Sequence, residues 1–377
     1  MSAYCHTIRR FPSASKPLQA NTTPRSGSEC FRRRASSIPQ QGEPLSTAML
    51  TGLAGGIGFM VATFAYEELT TATVVLRAHP EPFTDNLLER SGVALERTNT
   101  TSANVASKTL DAALEAGRAA MVRVTHGALP WIASDRLELQ ESIDVVVVGR
   151  ETDSYLVDGG GLDLGAGDDQ QFHRASRDEL SHARDKRKAD RHWAVSVDPT
   201  ALQPSIEALT ANVRASIQET TARMLGTLPL TGVPSSWLPK FGVQGMRTFA
   251  KLLRDERTKR GWPALFADQH RLTTGLEMLQ SLAASPRWGG DGGLRGIYAE
   301  FLTEAAQLEG LDALEGCIDG YRELAPRWDA FIDVIDPQTS VEDRAQLFRV
   351  MAEHLDELAD REEQAARKLS DVVAALR

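Results

Sequence analysis

Residues 44–66, PLSTAMLTGLAGGIGFMVATFAY, contain no charged side chain, and they stand between Glu43 and Glu67. Water disfavours so much exposed apolar surface, so the rest of the chain must be built to cover this stretch. Its first part, residues 45–53, reads as a short helix with Ser46 as N-cap and Ala48, Met49 and Leu50 as helix formers. Gly52, Gly55, Gly56 and Gly58 let backbone pass where a side chain would not fit. Residues 57–66 are apolar and β-rich, as expected of a buried strand. A bilayer span needs about 20 apolar residues, but the glycines and Thr47, Thr51 and Thr63 dilute this stretch. A phosphate loop is disfavoured too, because no Gly-Lys-Ser/Thr follows and the glycines do not join a strand to a helix. The stretch is expected to form the packed seam of an α+β domain.

Composition bounds the alternatives. The chain has 377 residues, enough for two domains of ordinary size. Its net charge is -9 and only 6% of it is aromatic, which disfavours nucleic acid as a partner. Cys5, Cys30 and Cys317 form no CxxC and no disulfide framework, so a reducing cytoplasm is expected. Neither a metal site nor a cofactor motif can be read from the chain, and nothing before Pro44 forms the apolar core of a signal peptide. Residues 1–44 differ from the rest. They carry Arg9, Arg10, Lys16, Arg25, Arg32, Arg33 and Arg34 against Glu29 and Glu43, and disorder or a mis-assigned start is their default reading. A transit peptide has a similar composition, but no amphipathic helix emerges here.

LSTAMLTGLAGGIGF, followed in order by RAHPEPF (77–83), ALPW (128–131), VVVVG (145–149) and LVDGG (156–160), resembles the BtrH N-terminal family. That family is named for the acyltransferase that attaches the side chain of butirosin. The similarity runs from about Leu45 to the C-terminus, and it includes the helical domain of unknown function that commonly follows. It implies a fold class of α+β papain-like domain (45–198) followed by a mostly α-helical bundle domain (199–377). It also implies acyl transfer by a Cys-His-Asp set, with an acyl carrier protein or a small amine acceptor as partner.

Along the chain, residues 73–77 read as a strand and 86–91 as a short helix capped by Asp85. Residues 105–116 read as an amphipathic helix, with Val105, Leu110, Ala113 and Leu114 near one face and Gly117 after its end. A strand is expected over 119–124. Residues 143–148 are nearly all β-branched, as in a central strand buried on both faces, and 154–157 pair with them. Ser176 and Glu179 are spaced as a capping box for a charged helix over 176–192. Asp198-Pro199 marks the domain boundary. Helices are then expected over 204–225, 244–257, 263–284, 294–309, 311–335 with a break at Pro326, and 341–377. The last could pack on the bundle or form a homodimer.

The resemblance assigns catalytic roles unevenly. Asp158 matches the family's carboxylate. Cys30 lies about where the nucleophile belongs, but FRRRASSIPQQGEP after it offers no helix face to aim a thiolate. The histidine position falls at Ile143 or its neighbours Ser142 and Asp144, none of which is an imidazole. His126, and secondarily His79, are the alternatives for a base, each also readable as structural. Gly55, Gly56, His79 and Trp131 are candidates to line a substrate site. In the helical domain, WGGDGG (288–293) leads into a helix whose first turns hold Arg295 and Tyr298. Gly292, Arg295 and Tyr298 are therefore candidates to bind an anion or, equally, to shape a packed loop. The chain reads as a pseudoenzyme with a binding or accessory role in peptide or secondary metabolism, with an active thiol-dependent acyltransferase as the alternative.

Overall fold

The computed structural model describes residues 45–67, 69–79, 83–91, 95–132, 142–158, 172–186, 188, 191–197, 205–230, 233–285 and 288–376. The readings made for residues 1–44, Cys30 among them, lie outside these. Within them, the helix and strand expected from the uncharged stretch are both present. Helix α1 (Thr47–Leu53) is capped by Ser46, whose Oγ accepts from the Met49 amide at 2.9 Å. Strand β1 (Ile57–Ala65) pairs antiparallel with β2 (Thr70–Arg77), and α2 (Phe83–Arg90) follows. Asp85 lies inside the first turn of α2 rather than capping it. The helix starts earlier than expected because Phe83 and Thr84 are buried and hold the first turn in place.

Next come β3 (Leu95–Thr98), α3 (Ala103–Glu115), β4 (Ala120–Thr125), β5 (Ser142–Arg150), β6 (Ser154–Asp158), β7 (Phe172–Ser176), α4 (Arg177–Asp185) and β8 (Ala194–Val197). Ser102 caps α3, whose buried face is Ala106, Leu110 and Ala113; Val105 is exposed, one position off the expected stripe. The capping box of α4 is formed as expected, with Ser176 and Glu179 bonded to each other's backbone amides. The helix stops at Asp185, short of His192, which adopts a positive φ of 52°.

The C-terminal elements are α5 (Ile206–Met224), α6 (Gly242–Leu253), α7 (Trp262–Leu265), α8 (Gln269–Ala284), α9 (Arg295–Ala305), α10 (Glu315–Val334) and α11 (Arg344–Ala375). Pro326 sits within α10 without breaking it. Tyr321 and Leu324 before it, and Trp328 and Phe331 after it, are all buried. Their packing outweighs the roughly 3 kcal/mol that an interior proline costs. No helix among the described residues is long and apolar enough to cross a membrane.

Contacts gather these elements into two compact units. One joins residues 46–91 to 205–376, and the other comprises 95–197. In the first, the β1–β2 hairpin lies among helices: α6 packs on β1, α8 on β2, and α11 runs along α5, α6 and α10. In the second, six strands form an antiparallel sheet in the order β3-β8-β4-β5-β6-β7. Val122, Val124, Ile143, Val145, Val147, Tyr155 and Val157 face one core with Leu110 of α3 and Leu180 and Ala183 of α4.

Candidate functional site

Pairing register decides which residues of the sheet unit share a face. Side chains alternate along a strand, and directly paired residues point the same way. Asp158, the last residue of β6, pairs with Val146, and Val157 pairs with Val147. Asp158 therefore shares a face with Val146, Asp144 and Ser142, whereas Ile143 belongs to the opposite, helix-covered core. Of the three positions at which the family resemblance places a histidine, only 142 and 144 could present a side chain on the face of Asp158. Asp144 is the diagonal neighbour of Asp158, a separation of about 7–8 Å between such positions.

Asp144 is bound to Arg123. The Arg123 guanidinium donates from Nε to Oδ1 at 2.7 Å and from Nη2 to Oδ2 at 3.1 Å. The same guanidinium lies 4.3 Å above the Trp193 ring. The Asp144 side chain is almost wholly buried, so this forked pair replaces water on both carboxylate oxygens. His126 is buried too, in the short turn that follows β4. Met121 is the β4 residue level with Val146, and His126 lies five positions beyond it. At about 3.3 Å per residue, His126 is some 16 Å further along the strands than Asp158. The sheet does not bring these two together. Trp131 instead stacks on His173, with ring centroids 4.3 Å apart and planes 9° from parallel.

The remaining candidates lie in the helical unit, around the glycine turn. Gly55 and Gly56 adopt φ of +110° and +62°. A Cβ on Gly56 would meet the Tyr298 ring at 2.5 Å, and one on Gly58 would meet the Arg77 carbonyl oxygen at 2.4 Å. Two buried arginines hold the turn from opposite helices. Arg223 of α5 donates from Nη1 to the Gly55 carbonyl at 3.0 Å, and the Thr220 hydroxyl donates to the same oxygen at 2.7 Å. Arg295 of α9, 0% exposed, donates to the Gly58 carbonyl at 3.0 Å, the Leu76 carbonyl at 2.9 Å and the Gly293 carbonyl at 2.6 Å. Its Nε donates to Oε1 of Glu362, also 0% exposed, at 2.6 Å, and Trp328 Nε1 donates to that same oxygen at 2.8 Å.

The Gly-rich loop before α9 presents its own carboxylate partner. Asp329 Oδ1 accepts from the Gly292 amide at 2.6 Å. Gly292, Gly293 and Leu294 take successive left-handed conformations, with φ of 58°, 55° and 71°, which turn Arg295 inward. Tyr298 is fully buried, and burial raises its hydroxyl pKa well beyond that of free tyrosine. In this arrangement Arg295 and Tyr298 pack around the glycine turn, whereas Gly292 lies against Ala325 and Asp329 of α10.

His79, just past β2, meets the Trp288 ring edge-on at 6.1 Å. Burial first, then the nearby Arg77 and Arg223 charges, push its pKa down to about 4. It is a neutral imidazole at physiological pH. The Arg77 guanidinium lies 4.8 Å from the Trp288 ring and 4.9 Å from that of Phe83. Sequence reading missed Arg123 and Arg223, whose roles depend on strand register and helix packing. A buried arginine amid apolar neighbours was the one signal available.

The family model described as "Butirosin biosynthesis protein H, N-terminal" matches residues 34–159, and the "Domain of unknown function (DUF4872)" model matches residues 178–369. A comparison with curated proteins gives no match. The second match covers half of the chain, and the two follow one another in the order that the glycine-turn signature led us to expect. The chain belongs to the family that joins a butirosin biosynthesis protein H N-terminal domain to DUF4872.

Proposed function

We propose that this chain is an acyltransferase-like protein of papain-like ancestry whose Cys-His-Asp site has degraded, and that it acts as a binding or accessory protein in peptide or secondary metabolism. The observation that carries this reading is the Arg123–Asp144 fork. Position 144 is where an imidazole could reach Asp158, and it holds a carboxylate already tied to a guanidinium. A triad needs an imidazole at that place to carry the proton between thiol and leaving group, and here the side chain is a carboxylate engaged by Arg123. Losing general acid–base help costs roughly 100- to 10,000-fold in rate. The matched stretch also begins at residue 34, after Cys30.

The test is transfer of an acyl group from a pantetheine thioester to small amines, followed by mass spectrometry. We expect no turnover above the buffer rate, and no difference between the parent and Asp158→Ala. Turnover that Asp158→Ala abolishes would overturn the proposal. The second reading, an active acyltransferase with an acyl carrier protein as donor, draws on the retention of buried Asp158 at the end of β6. It requires Cys30 to be the nucleophile. Incubation with an electrophilic acyl analogue would then add one acyl mass to Cys30, and an unmodified Cys30 peptide would remove this reading.

A further inference from the structure

The tip of the β1–β2 hairpin carries an exposed aromatic surface that the acyl-transfer reading does not use. Phe64 is 38% exposed, Tyr66 56% and Leu238 46%. Phe64 and Tyr66 lie two apart on β1 and its end, with ring centroids 6.5 Å apart, and Phe64 is 5.5 Å from Trp237. Lys240 lays its ammonium 3.9 Å from the Trp237 centroid and 5.8 Å from that of Phe64. The surface is held firmly from behind. Arg271 of α8 donates to the Tyr66 carbonyl at 3.1 Å, the Thr70 hydroxyl at 3.0 Å and the Glu67 carbonyl. Aromatic side chains fixed in advance lose little entropy on docking, which is why Trp and Tyr dominate interface energetics.

Charge names the occupant. The anionic Glu67 stands at one end of the stripe, beyond Tyr66, and the cationic Lys240 lies at the other, against Trp237. Neither side chain belongs to an ion pair among the described residues. Burial lowers the pKa of Lys240, as happens when an ammonium has lost water without gaining a carboxylate. A stripe ordered anion, aromatic, aromatic, cation is complementary to its own copy turned by a two-fold axis, which sets each Lys240 against the other copy's Glu67. On the C-terminal helix α11, by contrast, four carboxylates are already paired within the chain. These are Asp356, Glu357, Asp360 and Glu363, which pair with Arg254, Arg327, Arg361, Arg247 and Arg367.

We infer that the hairpin tip is a homodimer surface, with the Phe64–Tyr66–Trp237 stripe at its centre and two symmetric Lys240–Glu67 pairs at its ends. The experiment is sedimentation equilibrium of the full chain from 1 to 200 µM (about the range over which weak dimers form). We expect concentration-dependent dimers in the parent. Tyr66→Ser, Lys240→Glu and Glu67→Lys should each weaken dimerisation by about tenfold or more, and the double exchange Lys240→Glu/Glu67→Lys should restore most of it. Far-UV circular dichroism checks that each variant is folded, and the exposed Tyr66→Ser keeps the test decisive should a change at Lys240 disturb Trp237. A parent that stays monomeric to 200 µM overturns the inference. So do dimers indifferent to Tyr66→Ser, or a double exchange no tighter than the singles.

Discussion

Single side chains in this molecule are governed by what replaces water around them. His79 is the clearest titratable case. Its folded pKa of about 4 lies below the unfolded value near 6.5, so between those values the unfolded chain binds the extra proton. Stability from this residue is fully present above pH 6.5 and is lost as the pH falls towards 4. His79→Gln should therefore lose less stability than the parent between pH 7 and pH 5, by roughly 2 kcal/mol, as read from urea midpoints at the two values. An equal loss in both proteins would show that the imidazole is not held neutral. Asp144 makes the complementary prediction. Asp144→Asn leaves the Arg123 guanidinium with half of its fork, and a cost of about 1–3 kcal/mol in thermal or urea unfolding is expected. That Asp144 and Asp158 share a face could not be read from the sequence, because an irregularity between Val147 and Gly149 shifts the β5–β6 register by one residue. The absence of histidine at 142–144 was legible directly.

Among elements, the β1–β2 hairpin and its glycine turn show how strongly helices can constrain a small piece of sheet. A two-stranded hairpin alone is marginal in water. Here Arg223 and Arg295 bind its carbonyls from two helices, and Glu362 of α11 anchors the second arginine. Removing one member of a buried ion pair strands the other charge, at a cost of about 3–5 kcal/mol. Arg295→Met is expected to fall in that range in chemical denaturation; a cost below about 1 kcal/mol would show that the guanidinium is not the anchor. Gly56→Ala combines a positive φ with an overlap on the Tyr298 ring and should cost about 2 kcal/mol or more. Helix periodicity made α3 and most C-terminal helices legible, and the Ser176–Glu179 capping box did the same for α4. Short strands such as β3 and β8 escaped, since four residues carry too little alternation to be distinguished from loop.

At the scale of the whole molecule, the uncharged stretch is buried from Ala48 to Ala62 among helices that follow it only after the sheet unit. That strands gather in the N-terminal part and helices in the C-terminal part was legible from the order of strand-rich and helix-rich segments. The joining of 46–91 to 205–376 was not, because it rests on arginine contacts bridging 168 to 237 residues. A fragment of residues 205–377 would keep Arg223 and Arg295 but lack the Gly55, Gly58 and Leu76 carbonyls that they serve. It should show helical circular dichroism without a cooperative thermal transition, and adding residues 45–91 in trans or by fusion should restore one. A sharp transition in the fragment alone would contradict this. The long span of those contacts also has a temporal meaning during synthesis. Ribosomes add about 5–20 residues per second, so the hairpin waits roughly 10–50 s before Arg295 exists to meet it. Throughout that interval the most water-averse part of the newborn chain lacks its cover, which leaves it open to aggregation.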